Sequence, residues 1–159
     1  MMTIKGSCHC GATRFSIDVE PASLTQCTCS ICSKGGALWA YYKPEDVRIE
    51  PQTSNATYRW QSMMVEHNFC PTCGCITYNR SPSWVDMKPD LANPQLSVNA
   101  RLFDDYDISG LPVQVLDGKN LCRACATRTE RGLHAGQSRQ ARPPQAYEAG
   151  RWHRLLFAF

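Results

Sequence analysis

The apolar residues of this chain recur at alternate positions in short runs, and the runs are separated by Gly, Pro, Asp and Asn. A period of two is the mark of a half-buried strand. Residues 12–19 alternate, with Phe15, Ile17 and Val19 on one face. The aromatic run at 37–42 (ALWAYY) lies between Gly35-Gly36 and Pro44. Further strands are expected over 47–49, 57–60, 64–69, 76–78, 96–103 and 113–116, the last closed by the turn pair Asp117-Gly118. No long stretch repeats at helical period. Pro44-Glu45-Asp46 suits a single helical turn, and so does 104–109. The expected fold is mainly β, with a few short helical turns and with cysteines in the turns between strands.

Length and charge refine this picture. A chain of 159 residues is most simply one domain with a real core. No run approaches the ~18 apolar residues of a membrane span, and the start, MMTIKGSCHCG, carries no apolar signal segment. A cytoplasmic protein with reduced cysteines is therefore expected, with no membrane partner. Residues 1–121 hold ten Lys and Arg against twelve Asp and Glu, a net of −2. Residues 122–159 hold seven Arg against two Glu, a net of +5. The basic balance belongs to this Arg-rich tail, so nucleic-acid binding by the body is not favoured. The division is thus a domain over 1–121 and a weakly ordered tail over 122–159. The apolar end, WHRLLFAF, could dock on the body or on another subunit, which leaves a homo-oligomer open.

The ten cysteines carry the chemistry. Cys8 and Cys10 form a CxC pair, and Cys70 and Cys73 a CPxCG turn in which Gly74 permits positive φ. Thiolates so close in sequence suit a tetrahedral ion better than a disulfide, and two such pairs make a closed structural zinc site. Cys27, Cys29 and Cys32 form a separate CxCxxC triple at the end of a strand. Three thiolates on zinc leave one corner open for a soft ligand such as a substrate thiol, which would lose its proton there near neutral pH. The other reading is a second structural site whose fourth ligand comes from Cys75, His67, His9 or the pair Cys122 and Cys125. Cys75 reads most simply as a core cysteine, His67 as structural and His9 as a loop residue.

The motifs GSCHCGATRF, CTCSICSKGGALWA, YRWQS, HNFCPTCG and SVNARLFDDYDISGLPVQVLDG resemble those of the glutathione-dependent formaldehyde-activating enzymes, a family that includes centromere-protein-V-like proteins. The resemblance covers about residues 4–121. It implies an Mss4-like, or β-tent, fold with two zinc ions per chain. One would be structural, on Cys8, Cys10, Cys70 and Cys73. The other would be catalytic in type, on Cys27, Cys29 and Cys32. It implies a carbon–sulfur lyase reaction run backwards, in which a zinc-bound glutathione thiolate attacks formaldehyde, or a related small carbonyl, to give an S-hydroxymethyl adduct. Ser30, Ser33, Lys34 and His67 are the candidate proton donors, and Trp39, Tyr41 or Tyr42 could line the pocket. A zinc-binding module without chemistry, contacting a protein partner, is the alternative.

Overall fold

A computed structural model describes residues 2–86 and 88–121. The expectations for 122–159, with Cys122 and Cys125, lie outside the described residues. Ten strands form two sheets: β1 (Ile4–Ser7), β2 (Arg14–Ile17), β3 (Leu24–Cys27), β4 (Trp39–Tyr42), β5 (Val47–Ile49), β6 (Ala56–Tyr58), β7 (Glu66–Phe69), β8 (Ile76–Val85), β9 (Lys88–Asn99) and β10 (Val113–Leu116). The smaller sheet has the order β1-β2-β5, and the larger β10-β3-β4-β9-β8-β7-β6. Every named pairing is antiparallel except β10 on β3, which runs parallel from Val113↔Leu24 to Leu116↔Cys27. The helix α1 (Ser30–Gly35) follows the cysteine triple and ends on Gly36 at φ 65°, and among the described residues Gly118–Leu121 are helical as well. The mainly β expectation thus holds.

The core lies where the sheets meet. Phe15 and Ile17 of β2, Leu24 of β3, Ala40 and Tyr42 of β4, and Leu96 and Val98 of β9 are buried in one cluster. Each large apolar side chain so buried contributes about 1.5–3 kcal/mol. Phe15 meets Phe103 edge-to-face, with ring centroids 6.4 Å apart. Gly6 bridges Phe103 across the same seam. A side chain at Gly6 would run into the Phe15 ring and the Leu102 carbonyl, so the glycine lets the ring seal against the backbone. Val19 lies past the end of β2 and is exposed, unlike Phe15 and Ile17.

Several elements differ from the sequence pattern. The hairpin β8–β9 extends to Val85 and Lys88, well past the expected ends at 78 and 96, through Pro82, Pro89 and Pro94. Strand β7 pairs β8 only as far as Arg80. Beyond that point the hairpin is a two-stranded ribbon, where a proline need not break a ladder on its outer side. Residues 100–102 form a 3-10 turn in place of strand, with Asn99 capping it through Arg101 N–H at 3.3 Å. Residues 104–109 form no helical turn; the Asp107 carboxylate instead accepts the Ser109 N–H at 2.9 Å and closes a local turn. The turn at Pro44–Asp46 forms as expected. No helix among the described residues is long and apolar enough to cross a membrane.

Gly6→Ala is expected to destabilise the protein by about 1–3 kcal/mol, the usual cost of overpacking. Urea denaturation checks this; an unchanged midpoint would show that Phe15 does not seal against this glycine.

Candidate functional site

Two turns bring Cys8, Cys10, Cys70 and Cys73 together. The segment after β1 folds back so that Cys8 N–H donates to Thr13 O at 3.0 Å and Gly11 N–H to Cys8 O at 2.9 Å, with Gly11 at φ 73°. The β7–β8 turn repeats the design: Cys70 N–H donates to Cys75 O at 2.9 Å, Gly74 N–H donates to Cys70 O at 2.8 Å, and Gly74 has φ 77°. Each glycine takes a backbone conformation that other residues resist. The sulfurs of Cys8, Cys10, Cys70 and Cys73 lie within 4.8 Å of one another. Cys8 Sγ is 3.6 Å from Cys10 Sγ, and Cys10 Sγ is 3.7 Å from Cys70 Sγ. These distances are far from a disulfide, whose sulfurs are bonded at about 2.05 Å. They are close to the edge of a zinc–thiolate tetrahedron, about 3.8 Å for sulfurs about 2.3 Å from the ion. Thr13 N–H donates to Cys8 Sγ at 3.2 Å. Hydrogen bonds from backbone N–H groups of Cys75 and Cys10 hold Cys73 down at about 5. This cluster could hold a metal ion.

The triple forms a second cluster, with the sulfurs of Cys27, Cys29 and Cys32 within 4.8 Å of one another. Cys27 ends β3, Cys29 is the N-cap of α1, and Cys32 lies within α1. The short helix curls the chain so that a strand end and a helical turn present sulfur to one point. Hydrogen bonds from the Cys27 and Cys32 thiols hold Cys29 down at about 2; the bond with Cys29 pushes Cys27 up, and the bonds with Cys27 and then Cys29 push Cys32 up. This is the pattern of one thiolate held by two thiols, whose protons a divalent cation would displace. Among the described residues no fourth Cys, His, Asp or Glu atom joins all three within that distance. This cluster, too, could hold a metal ion.

Two residues support the triple in ways their sequence positions do not reveal. Trp39 Nε1–H donates to Cys32 Sγ at 3.3 Å, so the indole is a direct partner of a thiol as well as an apolar wall. Gly118 is buried, and a side chain there would collide with Cys27 Sγ and press on Cys29 Cβ at 3.0 Å. The Asp117 carboxylate accepts the Thr28 hydroxyl at 3.2 Å and ties this turn to the triple. Tyr41 shares the Trp39 face of β4. Burial, and then the charge of the three thiols, raises its phenol, although the residue remains 40% exposed. Tyr42 points the other way, into the main core, and does not line this site.

The suggested fourth ligands and proton donors separate clearly. Cys75 stands beside Cys73 and Cys8, away from the triple. It is half-buried and lines a cavity of about 350 Å³ with Ser7, His9, Arg101 and Asp104, a setting more open than a core cysteine's. His67 is buried in β7 with Nδ1 3.2 Å from Asn79 Oδ1; burial lowers its pKa, against the opposing pull of Cys29. The Ser33 hydroxyl donates to Thr28 O at 3.0 Å and so is engaged within the turn. Ser30 and Lys34 line an open groove of about 420 Å³ together with Ile31, Gly35, Tyr58, Trp60 and Ile76. Ile31 and Ile76 also pack against Cys29, Cys32 and Trp39, so the groove and the triple share a floor.

The fold and its two thiol clusters define a mainly β protein with two places that could hold metal ions. The chain belongs to the glutathione-dependent formaldehyde-activating enzyme family, whose profile matches residues 3–109. A Halomonas elongata protein bearing the same family name is 31% identical over 103 residues, 58% of this chain; the match spans 63% of that relative's length. A crystal structure of a Rhodobacter sphaeroides protein superposes with a TM-score of 0.54 at 25% identity, covering 69% of this chain and 99% of the other.

Trp39→Phe is expected to weaken metal binding at the triple by about 10–100-fold, the usual cost of losing a hydrogen bond to a ligand. Competition with a chromophoric chelator measures this, and the four-cysteine cluster serves as the internal control. Gly118→Ala is expected to weaken the same site by displacing Cys27. Parental affinity in both variants would show that neither contact shapes the triple.

Proposed function

We propose that the protein condenses glutathione with formaldehyde, or a related small carbonyl, to an S-hydroxymethyl adduct, with two zinc ions per chain. Cys8, Cys10, Cys70 and Cys73 would hold a structural zinc worth about 10 kcal/mol of folding free energy. Cys27, Cys29 and Cys32 would hold the second. Bound there, zinc supplies a soft coordination position and a positive charge that lowers the pKa of a thiol near it. The observation that carries this reading is the three-membered cluster. It has one ligand fewer than a closed site among the described residues, and it opens beside a groove.

The reaction adds two molecules without losing an atom. The glutathione sulfur gives an electron pair to the carbonyl carbon, the C=O π pair moves to oxygen, and that oxygen takes a proton. The chain's own contribution is mostly positional. Trp39 fixes Cys32, Gly118 and Asp117 fix the Cys27–Thr28 turn, and α1 fixes Cys29 relative to both. Ser30 lines the groove beside the triple and is the described hydroxyl best placed to pass a proton from solvent. Formaldehyde and thiols react readily, so orientation and a larger thiolate fraction suffice for catalysis.

Exchange NMR on the zinc-loaded protein tests the activity, with glutathione-dependent adduct formation expected above the buffer rate. Cys27→Ser is expected to lower the zinc content from two to one, retain the fold and abolish the rate increase. Double replacement of Cys122 and Cys125 by Ser is expected to keep both zinc ions and the activity. No rate increase with the fully loaded protein would favour a binding module. Loss of the second zinc in the double variant would mean that the chain itself fills the fourth position.

A further inference from the structure

We infer that the groove between α1 and the β6 segment is a recognition site for a carboxylate-bearing thiol, with Lys34 reading the carboxylate and Tyr58 and Trp60 walling the backbone of the ligand. This rests on the proposed use of a thiol substrate and specifies how the substrate is chosen. The groove's volume, about 420 Å³, suits a tripeptide-sized molecule lying along its length. Its position is set by packing. Gly35 has no room for a side chain against Ile76, so α1 seats directly on β8, and Ile31 and Ile76 form a floor continuous with Cys29 and Cys32. A ligand lying on that floor has the triple at one end.

The chemistry of the lining is selective. Lys34 is the one cationic side chain lining the groove, and among the described residues it makes no ion pair. Arg59, next to both aromatic residues in sequence, is already paired with Glu66 and does not compete for an anion. Tyr58 is 52% exposed, and Trp60 lines the same groove. A flexible ammonium sharing a groove with two aromatic side chains suits a peptide with a free carboxylate, and it gives a small uncharged thiol little to hold.

The test separates recognition from chemistry with S-methylglutathione, which keeps the carboxylates but lacks the thiol. Calorimetric titration of the zinc-loaded full chain is expected to show binding of S-methylglutathione. Lys34→Met is expected to weaken it about tenfold, and Lys34→Arg to restore most of it. In the adduct-forming assay, Lys34→Met is expected to raise KM for glutathione about tenfold, a larger change than in kcat, and Lys34→Arg to restore most of it. If Lys34→Met binds S-methylglutathione as the parent does while the parent still forms the adduct, the groove assignment is overturned and the activity stands. If S-methylglutathione binds in a Lys34-dependent way and no adduct forms, the groove assignment stands and the activity does not.

Discussion

Four sulfurs meeting within 4.8 Å are the constraint on which the rest of the molecule depends. They come from two turns sixty residues apart, one feeding the small sheet and the other joining β7 to β8 in the large one. Thiolates at such separations repel one another, and neutral thiols gain little from the proximity, so a bound cation would favour this arrangement. A link of this kind closes a long loop and removes many conformations from the unfolded chain. It would also fix the two sheets relative to each other, at the seam where Phe15 meets Phe103. The shared core and the cluster thus support one another.

The second cluster depends on the two-sidedness of β4. Ala40 and Tyr42 face the shared core, while Trp39 belongs with the triple. One strand in the interior of the large sheet therefore anchors the hydrophobic centre on one face and braces a sulfur on the other. Side chains mounted on a paired strand are held more firmly than those on loops, and α1 is seated on the sheet by Gly35 against Ile76. The site inherits its stiffness from the sheet and its openness from the short helix.

Both clusters are legible in the cysteine spacings alone, because a chelating bite is a local property. Phe15, Ile17, Trp39 and Val98 likewise announce their strands through alternation and aromatic content. What stays hidden in the sequence is non-local. The prolines of 82–94 read as breakers because sequence does not say that β7 stops at Arg80. SICSKG is too short to show a helical period, so α1 does not stand out from a turn. Gly118 looks like an ordinary turn glycine, and only the parallel return of β10 beside β3 puts it against Cys27. Spacing offers Cys75 as a fourth ligand for the triple, and the turn geometry places it beside Cys73 instead.

That returning strand bears on where this protein's functional unit ends. The family match stops at residue 109, and every cysteine of both clusters precedes that point. Strand β10, which aligns Leu116 with Cys27, lies after it, as does the glycine that packs on the Cys27 sulfur. The span matched by the family profile and the structural unit therefore have different boundaries here. A fragment cut at the edge of that matched span would keep all seven thiols and lose the strand that holds one of them in place.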